Sequence, residues 1–155
     1  MKEFSKLMHF VEILRDRIFV ATETTVDFVF KQAPPADRAA MLAGPETDWA
    51  PVEADTVWGE PQSYFWFHGT ASVPPALAGR RLYLGIEAMF GQVMGRSDPQ
   101  CLVRINGEIV QGADYNHREI LLTKAARAGE TFEIMIEAGT IEDRRQLGFG
   151  ARLLI

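Results

Sequence analysis

The stretch Leu102-Val103-Arg104-Ile105-Asn106-Gly107-Glu108-Ile109-Val110 decides the fold class. Two β-favouring runs flank Asn-Gly, a dipeptide whose residues readily take positive φ. It therefore closes a two-residue hairpin with the twist that antiparallel strands require. Working outward, a period of two recurs along the chain. Tyr64, Trp66, His68 and Thr70 alternate with Phe65, Phe67, Gly69 and Ala71, and Leu82, Leu84 and Ile86 alternate with Arg81, Tyr83 and Glu87. Ile120 and Leu122, then Phe132, Ile134 and Ile136, then Leu147, Phe149, Ala151 and Leu153 continue it. Pro74-Pro75, Gly79, Asp98-Pro99, Gly112 and Gly129 fall between these runs as turn signals. Short strands so spaced predict an antiparallel β-sandwich.

Upstream, the period changes. Phe4, Leu7, Met8, Val11, Leu14 and Ile18 recur at spacings of three and four, which predicts an amphipathic helix over 3–19. Its apolar stripe is expected to bury against the rest of the chain or against a second copy. Val26, Phe28 and Phe30 then alternate with Thr25, Asp27 and Val29, as a short strand or extended segment would. Residues 32–62 carry Pro34-Pro35, Gly44-Pro45, Pro51 and Pro61, with a short helix expected over Asp37–Leu42. So long a connection is expected to wrap over the sandwich, anchored by Trp49 and Trp58. The organisation expected is one domain, with a helix and extended segment in 1–31, the wrapping connection in 32–62 and the β-sandwich in 63–155. The chain closes in an apolar run, Leu153-Leu154-Ile155, from which we expect that it is excised from a longer protein.

With 155 residues, a net charge of −5 and 47% hydrophobic residues, the composition fits a single folded domain and excludes global disorder. The acidic balance, without a basic stripe, argues against a nucleic-acid partner. No apolar run approaches the roughly 20 residues of a membrane helix. Met1-Lys2-Glu3 leads into an apolar stretch mixed with charges, unlike a signal peptide, so a cytoplasmic location is expected. Cys101 is the sole cysteine, which excludes an intrachain disulfide and a Cys-rich zinc site.

The densest polar cluster is Gln111-Gly112-Ala113-Asp114-Tyr115-Asn116-His117-Arg118-Glu119. Its order matches neither a calcium loop nor a His-Glu-x-x-His zinc helix, so no metal is assigned to it. A loop whose Asx side chains bond its own backbone is the favoured reading, beside an edge that contacts sugar or another domain. His117 lacks an accompanying nucleophile, Cys101 reads as a small buried hydrophobe, and Gly91–Arg96 is neither a dinucleotide fingerprint nor a phosphate loop. His9 and His68 read as packing or strand histidines. No self-sufficient active site is found. On the aromatic strand, one face must be core. The other is either a sugar-stacking platform or lies under the 32–62 connection, and coverage by the connection is favoured.

Several of these residues carry a resemblance. Trp58-Gly59, Tyr64-Phe65-Trp66-Phe67, Val73-Pro74-Pro75 with Ala78-Gly79, Val103-Arg104-Ile105-Asn106-Gly107-Glu108 with Val110-Gln111-Gly112-Ala113-Asp114, and Asn116-His117-Arg118-Glu119-Ile120-Leu121-Leu122-Thr123 with Ala128-Gly129-Glu130 occur in that order. Over about residues 56–140 the chain resembles the N-terminal region of the cytosolic-type α-mannosidases of glycoside hydrolase family 38. The resemblance implies a jelly-roll or galactose-binding-like sandwich preceding a catalytic barrel, where a His-x-Asp pair, a further Asp and a late His hold zinc and an Asp is the nucleophile. None of those motifs is present here. The three histidines are followed by Phe10-Val11, Gly69-Thr70 and Arg118-Glu119. The resemblance thus implies a noncatalytic accessory domain with no cofactor of its own, zinc being expected in the parent's catalytic domain. The catalytic domain is its expected partner, with glycan and a second copy as further candidates. An independent carbohydrate-binding module is the alternative. Candidates for sugar or domain contact are Trp58, Tyr64, Trp66, Arg104, Gln111, Asp114, Asn116, His117 and Glu119.

Overall fold

A computed structural model describes residues 2–44, 48–88, 91–93, 96–141 and 147–155. Helix α1 spans Lys2–Ile18, followed by β1 (Ala21–Thr25), β2 (Phe28–Gln32), a 3₁₀ turn over Pro35–Asp37 and helix α2 (Arg38–Leu42). The strands that follow are β3 (Ala50–Pro51), β4 (Tyr64–Ser72), β5 (Leu82–Glu87), β6 (Gly91–Val93), β7 (Arg96–Asp98), β8 (Gln100–Ile105), β9 (Glu108–Ala113), β10 (Glu119–Thr123), β11 (Thr131–Gly139) and β12 (Gly150–Leu154). They form a six-stranded sheet in the order β3-β2-β4-β11-β8-β9 and a four-stranded sheet in the order β1-β12-β5-β10, with β6 and β7 paired as a separate ribbon. All of these pairings are antiparallel.

The alternation places the core. Phe65 and Phe67 of β4, Val103 and Ile105 of β8, and Ile134 and Ile136 of β11 face Leu82, Leu84 and Ile86 of β5, Ile120 of β10 and Leu153 of β12. Phe67 is the centre of an aromatic cluster. It stacks on Phe149 with centroids 3.8 Å apart and meets Trp58 edge-on at 5.0 Å. The other face of β4 is also covered. Trp66 is fully buried with Met135 beneath Ala33, Met41 and Trp49 of the connection. The Trp66 indole N–H donates to the Ala33 carbonyl at 3.2 Å, Lys31 pairs with Asp48, and Arg38 pairs with Glu137. Coverage of this face by the connection was the favoured sequence reading.

The hairpin forms at Asn106-Gly107, with φ of 51° and 83°. Asn106 also ties the turn to β11, since its Oδ1 accepts from Glu133 N at 2.9 Å and its own N–H donates to Glu133 O at 2.8 Å. Gly107→Val is expected to lower stability by about 1 kcal/mol or more, because a β-branched residue is forced into the left-handed region. Thermal melting checks this, and an unchanged melting temperature would refute it.

Two expectations are corrected. The segment around Val26 is two strands in different sheets, because the chain crosses from one layer to the other at Val26-Asp27. The last strand is shorter than the 147–153 alternation implied: Leu147 makes only an isolated bridge to Trp58 before β12 begins at Gly150. The helix forms as expected, and of the two coverings expected for its stripe, this chain does not supply the first at the described side chains, Phe4 lying outside them. Leu7, Met8, Val11, Leu14 and Ile18 are all exposed. The reason lies in the attachment. Val20 and Ile155 exchange backbone hydrogen bonds and Phe19 meets Tyr83 edge-on, so the chain is held to the sheet only after the helix ends. No described helix is long and apolar enough to cross a membrane.

Candidate functional site

The polar loop that links β9 to β10 passes from the edge of one sheet to the edge of the other. Asp114 organises it. Its Oδ1 accepts from Asn116 N at 2.8 Å and His117 N at 2.9 Å, and lies 2.9 Å from His117 Nδ1. Burial pushes the Asp114 carboxyl up, but the donors from Asn116 and His117 together outweigh it and hold the group below its usual range. Arg118 lies over the Tyr115 ring and donates to its carbonyl. Gln111 Nε2 donates to the Glu119 carbonyl at 3.4 Å, tying the two sheets together. An Asx-ordered loop of this kind is what the spacing of Asp114, Asn116 and His117 predicts.

A second feature lies on the outer face of the six-stranded sheet. Pairing puts Tyr64 of β4, Gly139 of β11 and Gln100 of β8 in one row, and Trp66, Glu137 and Leu102 in the next row on that face. The connection covers Trp66 but stops short of the Tyr64 row. There a cavity of about 290 Å³ is lined by Tyr64, Gln100, Leu102, Glu137, Thr140 and Ile141, with backbone of the row between. The Tyr64 ring lies across Gly139, where a Cβ would stand 3.3 Å from ring carbon Cε1. The absence of a side chain at 139 is what seats the ring.

Glu137 is 6% exposed, and both of its oxygens are held. Arg38 Nη2 donates to Oε1 at 2.6 Å and Nε to Oε2 at 3.2 Å, a two-point clamp that fixes the carboxylate plane. Behind it, buried Arg104 brings Nη1 to 3.7 Å from Oε2, too far for a hydrogen bond but close enough to add favourable charge. The bond to Glu137 and its charge raise the Arg38 guanidinium above its ordinary value. The walls are fixed as well. The Thr140 hydroxyl donates to the Glu60 carbonyl, and Asp98 Oδ1 accepts from Ile141 N at 3.0 Å. Cys101 is buried on the core side of the same strand, its thiol pushed up to about 12 by burial and, secondarily, by the charge of Asp114. It is no nucleophile at neutral pH.

The sequence candidates therefore separate into groups. Tyr64 stands at the cavity, 40% exposed, and Arg104 backs it. Asp114, Asn116, His117 and Glu119 form the loop and the start of β10. Trp58 and Trp66 are corrected as surface contacts. Trp58 is 3% exposed and donates its indole N–H to Gly148 O at 3.0 Å, and Trp66 is 0% exposed, so neither offers a ring to a ligand. Gln100, Glu137, Gly139 and Arg38 were missed. The outward parity of Glu133, Glu137 and Gly139 in β11 was the available signal, but only the register brings them to Tyr64. The Gly91–Arg96 segment lies partly outside the described residues. Among the described residues, no group of three or more His, Cys, Asp or Glu side chains is placed to hold a metal ion.

The family model for the jelly roll domain of α-mannosidases matches residues 23–146. The chain belongs to the α-mannosidase jelly roll domain family. No curated protein sequence matches it. Among solved structures, this jelly roll domain is similar to an uncultured Clostridium sp. β-glucuronidase, with a TM-score of 0.58 and 11% identity over 88% of this chain. Faecalibacterium prausnitzii β-glucuronidase matches with a TM-score of 0.55 and 15% identity over 77%, and Ruminococcus gnavus β-glucuronidase with 0.55 and 8% over 88%. At these identities the likeness is one of fold. The chain spans 29%, 21% and 28% of those three chains, so the jelly roll corresponds in extent to one part of a larger glycosidase.

Proposed function

We propose that the chain serves as the noncatalytic accessory domain of a retaining, zinc-dependent α-mannosidase of glycoside hydrolase family 38, acting in the cytoplasm on α-mannosides of glycans. The family match over residues 23–146 supports this reading. Among the described residues no group fits a zinc site, since His9, His68 and His117 stand on α1, on β4 and in the β9–β10 loop. In this reading zinc and nucleophile are supplied by a catalytic partner domain, and no chemical step is assigned to this chain. Its role is to support that domain and border its glycan entrance. The ordered 114–118 loop and the exposed Ile109, Val110 and Leu121 beside it are suited to such a contact. A second reading, a module that binds glycan itself, is favoured by the cavity at Tyr64.

The purified chain is expected not to hydrolyse aryl α-mannosides, with or without added zinc. A protein that joins it to a catalytic domain bearing a His-x-Asp motif is expected to do so. Zinc-dependent turnover by the chain alone would overturn the proposal.

A further inference from the structure

We propose that the cavity on the outer face of the six-stranded sheet is a subsite for one neutral hexose unit of a glycan, with Tyr64 as its stacking platform and Glu137 and Gln100 as its polar contacts. The proposal rests on the glycan-binding reading and does not depend on a catalytic partner.

Size comes first. At about 290 Å³ the cavity is at the lower end of small-molecule sites, which run from about 300 to 1,000 Å³, and so suits one pyranose ring rather than a long oligomer. Its chemistry is divided in the way a sugar ring is divided. A pyranose has a C–H face and a rim of hydroxyls. The cavity has an aromatic ring with Leu102 and Ile141 for the first, and a carboxylate and an amide for the second. The Thr140 hydroxyl is engaged with the Glu60 carbonyl and acts as wall.

The polar part is fixed before any ligand arrives. Arg38 holds both oxygens of Glu137 and Arg104 adds charge from behind, so the carboxylate keeps one orientation and still has lone pairs to accept hydroxyl donors. Tyr64 is seated on Gly139 in the same manner. The Glu137 carboxylate is the one ionised side chain lining the cavity among the described residues, and with its charge balanced by Arg38 and Arg104 it meets a sugar as an acceptor of hydroxyl donors.

The test is a titration of the 155-residue chain with methyl α-mannoside and methyl α-glucoside, following backbone amide resonances. Neutral hexosides should give saturable shifts at Tyr64, Gln100, Leu102 and residues 137–141, with a Kd of about millimolar for a ligand so small. Tyr64→Ala should weaken binding by about tenfold or more. Gly139→Ala, which crowds the ring without removing it, should weaken binding to a smaller extent. Retained amide dispersion would show that both variants fold, and if Tyr64→Ala does not fold, Gln100→Ala carries the same test with an expected several-fold loss. No saturable shift, or shifts unchanged in the folded variants, would each overturn the subsite. None of these results would touch the accessory-domain proposal, which is read from turnover.

Discussion

Replacing Phe67 with alanine is expected to lower the stability of the fold by about 3–5 kcal/mol. The side chain is 0% exposed and stands between the sheets. One face stacks on Phe149 with planes 8° apart, the other lies 5.8 Å from Phe30, and the edge of Trp58 completes the cluster. Alanine removes the transfer free energy of a whole ring and leaves a cavity that three rigid aromatics cannot collapse to fill. Against a total stability of about 5–15 kcal/mol for a domain, that is a large share. Equilibrium urea unfolding, followed by tryptophan fluorescence, measures it directly. A loss below about 1 kcal/mol would mean that the cluster is loosely packed and can close over the void.

Glu137→Ala is the second large effect, with an expected loss of about 3–5 kcal/mol. The substitution unpairs two arginines that differ in their surroundings. The Arg38 side chain is 49% exposed and can return to water, whereas the Arg104 side chain is 7% exposed and cannot. The cost therefore arises chiefly from a cation stranded in the sheet beside buried Met135. Arg38→Ala should cost far less, because the pair it breaks is half in solvent. The double substitution Glu137→Leu with Arg104→Met should recover most of the loss, since it removes the charge together with its partner. If the double variant were as unstable as the sum of the single ones, burial of unpaired charge would not be the cause.

The elements whose signals are local were legible in the sequence. Asn106-Gly107 specifies its own turn, and the alternation through Tyr64–Ser72 and Thr131–Gly139 separates the two faces of each strand without knowledge of partners. The alternation leaves open which face of β4 is core, but coverage of the other by the connection is favoured, because exposed aromatics are costly unless functional. What failed was everything set by distance along the chain. The alternation through Val26 runs unbroken, yet the strand is cut there by a crossing between sheets. Its only trace is Gly69, where a Cβ would lie 2.7 Å from the Asp27 carbonyl. Period gives a helix its apolar stripe but says nothing of what covers it, and α1 is the case in point. The cavity was half visible. Tyr64 announces itself as an aromatic at a strand end, but Gln100, Glu137 and Gly139 become its neighbours only through two successive antiparallel registers.

The position of β12 has a consequence for how the molecule is made. It is the last of the described strands in sequence, yet it lies inside its sheet, between β1 and β5. The Thr22 hydroxyl donates to the Leu153 carbonyl across 131 positions. Closing a loop of that length costs roughly 4 kcal/mol of chain entropy before any contact compensates. The ribosome therefore delivers β1 long before its partner among the described strands. Until residues 150–154 emerge, β1 lacks that partner and one side of β5 stands open. Assembly of this sheet is a late, non-local event on a millisecond-to-second scale, and the interval before it is when a nascent strand edge is most exposed to pairing with the wrong chain.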